Sequence, residues 1–303
     1  MHDAQNPREL ALLVLDEIYE RGAYANLALN KALRGNGLSS LDRKLCTELV
    51  YGTVKTTGTL DWYLCRVINR PFRKMAPRLR TILRMGAYQI LYLERIPDSA
   101  AVNECANLAR YYVNENSVKL VNGVLRQLSR TKATWQFPQK EEDATLRLAL
   151  TYYHPEWLVR RWKFRFGLPE AEAMCAYDNA VPSLCLRVNT LFISRKTLLE
   201  RLQADGCEVE PSKWSPDGIV CRHLPSLETL MKEWGRFLYI QDESSMLDAD
   251  VLAPKPGDLV LDFCAAPGGK TTHLAQKMEN KGKIIAMDIH CLLYTSPSPR
   301  DRQ

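Results

Sequence analysis

A chain of 303 residues with 46% hydrophobic and 25% charged side chains can bury two or three globular cores, and it is too apolar for a disordered or collagen-like polymer. Its formal net charge of +6 is compatible with a nucleic-acid partner without demanding one. No stretch approaches the length of a membrane span and the opening MHDAQNPREL lacks the apolar core of a signal peptide, so a cytoplasmic protein with no membrane partner is expected.

The nine cysteines lack CxxC pairs and histidine partners at metal spacing. They read as reduced thiols, with no metal expected.

Residues 7 to 130 carry helical periodicity and few strand-like alternations. Pro7 suits a first helical turn, Leu10, Leu13, Val14 and Ile18 form one stripe, and Gly22 ends the helix. Ser39 and Asp42 have the spacing of a capping box before Leu45, Leu49 and Val50. Further periodic segments run over 79–93, 99–113 and 117–128, joined by short loops, which predicts an all-α bundle.

From Arg66 to Arg84 the bundle has seven cations (Arg66, Arg70, Arg73, Lys74, Arg78, Arg80, Arg84) and no acid. Such a run is either a solvated face or a patch that contacts phosphates; the missing acids favour RNA.

Residues 131–140 read as a linker, and helices are predicted over 143–153 and 156–166. The second interleaves Trp157, Arg160, Arg161, Trp162, Lys163, Phe164, Arg165 and Phe166. Interleaving suits base stacking beside phosphate contacts. The preferred reading for Trp157 and Trp162 is inward packing with the cations left wet, which keeps Arg160 and Arg161 as RNA candidates. Strands over 182–189, 218–222 and 237–241 alternate with helices over 194–205 and 226–234, which predicts a ferredoxin-like or similar α+β module.

The stretch 258–288 is organised as strand, glycine turn, helix, strand, acid. Leu259, Val260 and Leu261 read as a buried parallel strand; Cys264-Ala265-Ala266-Pro267-Gly268-Gly269 form the loop. Lys270 to Met278 follow as a helix with Gly282 past its end, and a second strand leads to Asp288. Glycines let the backbone turn and approach a ligand, and the N–H groups that open the helix favour an electron-rich partner. A carboxylate roughly twenty residues past the glycines is placed to accept from a ribose diol. A ligand-free βα turn is the alternative, and Asp288 argues against it. A P-loop needs glycine where Cys264 stands, and the dinucleotide fingerprint fails because Gly268 and Gly269 are adjacent. S-adenosylmethionine, a nucleoside without phosphate, fits what remains.

The run Asp262-Phe263-Cys264-Ala265-Ala266-Pro267-Gly268-Gly269-Lys270-Thr271 resembles the first motif of the Sun family of RNA 5-methylcytosine methyltransferases, and Gln241-Asp242-Glu243-Ser244-Ser245 resembles its lead-in helix. The resemblance extends to about residue 290, with a front half similar to a NusB-like RNA-binding domain. It implies an all-α N-terminal bundle (NusB-like), then an α+β module, then the first part of a Rossmann-like α/β methyltransferase sheet. The implied domains are 1–135, 143–235 and 236–290. The implied cofactor is S-adenosylmethionine, held by Cys264, Ala265, Ala266, Pro267, Gly268, Gly269, Lys270 and Asp288. The implied partner of a monomeric enzyme is small-subunit ribosomal RNA, whose cytosine carbon 5 it methylates. RNA-contact candidates are Arg66, Arg70, Arg73, Lys74, Arg78, Arg80, Arg160, Arg161 and, from a segment resembling Arg187-Val188-Asn189, Arg187.

The chemistry this family resemblance implies uses a cysteine thiolate that adds to carbon 6 and so activates carbon 5. Its Pro-Cys and Thr-Cys-Ser motifs do not occur in these 303 residues, so no catalytic residue is assigned. Most cysteines fall on apolar faces and read as core. From Cys291 to Gln303 the sequence has two prolines and no periodicity, and resembles a translated sequencing-adapter tail. The expectation is a truncated product with two sheet strands, one apolar face uncovered, a tendency to aggregate and no methyl transfer.

Overall fold

The computed structural model describes residues 6–224 and 226–289, so the expectation for the stretch from Cys291 onward lies outside the described residues. The chain divides into two compact units, residues up to Ala180 and residues from Val181.

The first unit is helical: α1 (Pro7–Arg21), α2 (Ala25–Leu33), α3 (Ser40–Lys55), α4 (Thr57–Val67), α5 (Pro77–Tyr92), α6 (Asp98–Tyr112) and α7 (Glu115–Thr131), then α8 (Lys140–Tyr152), α9 (Glu156–Phe166) and α10 (Leu168–Asn179). Local chemistry sets the ends. The side chain of Asn6 accepts from the Arg8 and Glu9 N–H groups at the start of α1, and Gly22 closes it at φ 67°. Ser39 Oγ accepts from the Asp42 N–H at 3.2 Å and donates to the Asp42 carboxylate at 2.7 Å. The predicted start of α8 at Asp143 has a cause too. Asp143 is non-helical, and its Oδ1 accepts from the Leu146 N–H at 2.9 Å.

Helix α5 is the axis of this bundle, packed against α1, α3, α4, α6 and α7. Ile82, Leu83 and Met85 on it are fully buried, with Leu12, Leu49, Leu64 and Leu125 around them. Burying each such side chain stabilises by roughly 1.5–3 kcal/mol, so the bundle rests on this layer rather than on helix propensity. Helices α2, α4 and α10 escape a periodicity reading because they are short or join their neighbours through a residue or two.

The second unit opens with β1 (Leu184–Val188), α11 (Arg195–Ala204), β2 (Glu208–Pro211), β3 (Gly218–His223), α12 (Leu227–Trp234) and β4 (Leu238–Ile240). The sheet order is β2-β3-β1-β4 with antiparallel neighbours throughout, the split βαβ pattern of a ferredoxin-like module. Strand β2 is the element that hydrophobic alternation missed. It reads Glu-Val-Glu-Pro, and an edge strand tolerates charge and proline because one side is unpaired.

Helix α13 (Glu243–Leu252) leads to β5 (Leu259–Asp262), α14 (Gly269–Lys277) and β6 (Lys283–Ala286). Strands β5 and β6 are parallel neighbours, with Val260 opposite Ile284 and Leu261 opposite Ile285. Among the described residues only one face of this pair is covered. Val260 packs with Ala249, Leu274, Met278 and Ile284. On the other face Leu259 is 68% exposed, Leu261 46% and Ile285 40%. The predicted fully buried strand is thus corrected: β5 alternates, because neighbouring side chains point to opposite faces and only one face meets helices.

Candidate cofactor and RNA sites

The candidate cofactor loop spans the carboxyl ends of β5 and β6, where open α/β sheets bind ligands. Its backbone prolongs the parallel pairing: Met287 N–H donates to Asp262 O at 2.8 Å and Ala265 N–H to Met287 O at 3.0 Å. The Asp288 carboxylate accepts from the Ala266 N–H at 3.0 Å, so acid and loop form one wall. Gly268, at φ 101°, caps α14 in a conformation that L side chains avoid. A Cβ on Gly269 would stand 3.3 Å from Tyr239 Cε1 of β4. Gly268 shapes the turn, and Gly269 lets α14 dock on the ferredoxin-like module.

Asp262 pins the loop from below. Its Oδ1 accepts from the Cys264 N–H at 3.2 Å and its Oδ2 from the Thr271 hydroxyl at 2.6 Å. Lys270 pairs with Asp248 of α13, and that bond chiefly holds its pKa above the ordinary lysine value. This turns Lys270 away from the role a phosphate-binding lysine plays. A carboxylate suited to a diol, small residues beside it and no lysine committed to the loop fit a ribose-bearing, phosphate-free group.

Helix α14 carries a polar face that the sequence reading left unused. Thr272, His273, Gln276 and Lys277 follow at helical spacing and face the ferredoxin-like module. His273 is fully buried and its Nε2 lies 3.0 Å from Asp217 Oδ2. Lys277 Nζ lies 2.8 Å from Asp217 and 2.7 Å from Asp250. Asp217, Asp250 and His273 come within 4.8 Å of one another, and the Lys277 ammonium stands between the two carboxylates. Burial pushes the His273 pKa down, despite its bond to Asp217. Burial would raise Asp217, but hydrogen bonds from His273 and Lys277 outweigh it and hold the carboxyl below its usual range. Polar residues at core spacing on α14 were the signal that could have revealed this network.

Tertiary structure divides the RNA candidates. Arg70, Arg73 and Lys74 are exposed around a short 3-10 turn. Arg66 is exposed and stacks its guanidinium 3.3 Å from the Trp62 ring centroid. The others meet acids from distant helices: Arg78 pairs with Asp16 at 2.5 Å, Arg80 with Glu20 at 3.8 Å, and Arg84 holds Asp61 through two bonds of 2.7 Å. On α9, Arg160 pairs with Glu156 while Arg161 is exposed.

Arg187 leaves the set of RNA candidates. It is 4% exposed, and Nη1 donates to Gln241 Oε1 at 2.5 Å and to Gly269 O at 2.6 Å, with Nη2 donating to Thr272 Oγ1 at 2.9 Å. A buried guanidinium needs several acceptors, and the start of α14 supplies them. Trp157 departs from its expected inward packing at 62% exposure, whereas Trp162 packs as expected beside His154 and the Val159 cluster. Cys264 is exposed, with Cys65; the other six cysteines of the described residues are buried.

Three family models match in succession: the NusB family over residues 5–130, the ferredoxin-like domain of RsmF/B-like methyltransferases over 154–225, and the 16S rRNA methyltransferase RsmB/F model over 249–292. The "Probable ribosomal RNA small subunit methyltransferase B" of Bacillus subtilis is 40% identical over 285 residues, covering 93% of this chain and 62% of that protein. The ribosomal RNA small subunit methyltransferase B of Pseudomonas putida is 32% identical, covering 96% of this chain and 64% of that one. The crystal structure of PH0851 superposes with a TM-score of 0.66 at 26% identity, over 97% of this chain and 64% of that one. The chain therefore spans somewhat under two thirds of the length of these relatives.

Proposed function

We propose that the chain is a member of the RsmB/Sun family, the RNA-binding and cofactor-gripping portion of an S-adenosylmethionine-dependent enzyme acting on carbon 5 of a cytosine in 16S ribosomal RNA. The single observation that carries the cofactor half is the Asp288 carboxylate joined to the Ala266 N–H at 3.0 Å, at the carboxyl ends of two parallel strands. When bound, the cofactor supplies an electrophilic methyl group. The chain's own residues orient it. Asp288 would accept from the ribose diol, and the main chain from Cys264 to Gly269 would hold the nucleoside. Asp262 and Thr271 keep that loop in shape.

Carbon 5 of cytosine needs a thiolate on carbon 6 before it can attack a methyl group. These 303 residues have neither a Pro-Cys nor a Thr-Cys-Ser motif, so the reading is that they bind and do not transfer. Arg66, Arg70, Arg73, Lys74 and Arg161 are the surface cations for RNA phosphates. We read the protein as cytoplasmic.

The test uses alkylation of the exposed Cys264 as a reporter. S-adenosylmethionine should slow its labelling several-fold while Cys65 labels at an unchanged rate, and Asp288→Ala should abolish the protection. Methyl-tritiated cofactor with 16S ribosomal RNA should give no labelled RNA. Unprotected Cys264 at millimolar cofactor would overturn the cofactor reading, and labelled RNA would overturn the binding-only reading.

A further inference from the structure

We propose that the outward face of α9 is a stacking strip for unpaired bases of an RNA single strand. The inference rests on the ribosomal RNA reading above and gives it a location and a substrate form.

The argument begins with what α9 has already buried. Val159 is fully buried with Leu148, Ala149 and Cys175, and Trp162 packs onto that cluster. The helix therefore meets its packing need on one side. Trp157 and Phe164 lie on the other side, at 62% and 89% exposure. Large aromatics left in water on a helix that has a satisfied core mark a contact surface.

Spacing joins them into one stripe. Positions 157, 161, 164 and 165 follow at intervals of four, seven and eight residues, which share a helix face. The two rings stand about 10 Å apart along the axis, at ~1.5 Å per residue. Arg161 lies between them and Arg165 just beyond, both exposed. Among the described residues no salt bridge engages Arg161, Lys163 or Arg165, whereas Arg160 is tied to Glu156.

This mixture selects the partner. An interfacial membrane helix segregates its aromatics from its cations, and here they alternate on one face. Duplex RNA keeps its bases stacked inside and would offer the rings nothing, whereas a single strand offers base planes and phosphates at close intervals.

The experiment uses the full chain and a fluorescein-labelled, unstructured 12-nucleotide RNA, with the same RNA annealed to its complement as the second probe. Trp157→Ala with Phe164→Ala should weaken single-strand binding by about tenfold or more and leave duplex binding within twofold. The salt slope should stay unchanged, because no phosphate contact is removed. Trp157→Phe with Phe164→Tyr should restore most of the affinity, which a loss of folding would not allow. Arg161→Gln with Arg165→Gln should lower the salt slope instead. Equal single-strand affinity for parent and alanine pair would sink the strip and leave the ribosomal RNA reading standing. A parent chain that binds neither probe would sink both. Retention of the parent on phosphatidylserine vesicles, lost in the alanine pair while RNA binding persists, would assign the face to a membrane and overturn the inference.

Discussion

Arg187 of β1 donates to the main-chain carbonyl of Gly269 at 2.6 Å, across 82 residues of sequence. A buried guanidinium of the ferredoxin-like module thereby holds the first turn of the helix that follows the cofactor loop. The same guanidinium reaches Thr272 and Gln241 and lies 5.1 Å from the Tyr239 ring centroid.

Replacing Arg187 by Ala should destabilise the second unit by about 3 kcal/mol, since charged hydrogen bonds are lost and their partners stay buried. Arg187→Lys should recover little, because an ammonium cannot reproduce the planar fork. Hydrogen exchange across Gly269–Lys277 is the readout, and unchanged protection there in Arg187→Ala would refute the coupling.

The network on the polar face of α14 makes stability fall in mild acid. The His273 pKa is depressed in the folded chain, so the unfolded chain takes up its proton first as pH drops below about 6.5. Stability from neutral His273 is therefore whole above that pH and is lost as pH falls toward the folded value. Asp217 is also depressed, so its contribution is present above about 3.8 and is lost as pH falls through its lower folded value. Thermal melts at pH 5 to 8 should show a decline toward pH 5 that His273→Gln flattens. A wild-type melting temperature independent of pH across this window would contradict the assignment.

The cations of the basic run separate into two behaviours. Neutralising Arg70, Arg73 and Lys74 together should leave the melt unchanged and reduce the salt slope of RNA binding by about 2, at ~0.7 per phosphate on a single strand. Arg84→Gln should instead cost about 1–3 kcal/mol of stability, because the Asp61 carboxylate loses its bidentate partner. An Arg84→Gln chain that melts like the parent but binds RNA weakly would reverse this division.

The uncovered face of β5 and β6 should make the chain self-associate. Leu261 and Ile285 are register partners on it, and an apolar face left exposed among the described residues invites contact between copies. Leu261→Thr with Ile285→Thr keeps strand propensity and should suppress light scattering at micromolar concentration, with stability changed by no more than about 0.5 kcal/mol. Scattering equal in both chains would place the association elsewhere.

What the sequence determined by itself is what short-range chemistry determines. Pro7, Gly22 and Ser39 mark helix ends, apolar periodicity gives the bundle, and glycines followed by Asp288 give the strand–loop–helix–strand unit, because each signal lies within one element or its neighbour. The tertiary structure alone decided which polar groups remain for a partner. The acid-free run from Arg66 to Arg84 meets Asp16, Glu20 and Asp61 from other helices; Arg187 is drawn under the cofactor loop; Trp157 is left in water because Val159 and Trp162 already fill the pocket beneath α9. Whether a charge is neutralised or a ring is covered depends on groups brought close by folding from distant parts of the chain, and no local pattern records them.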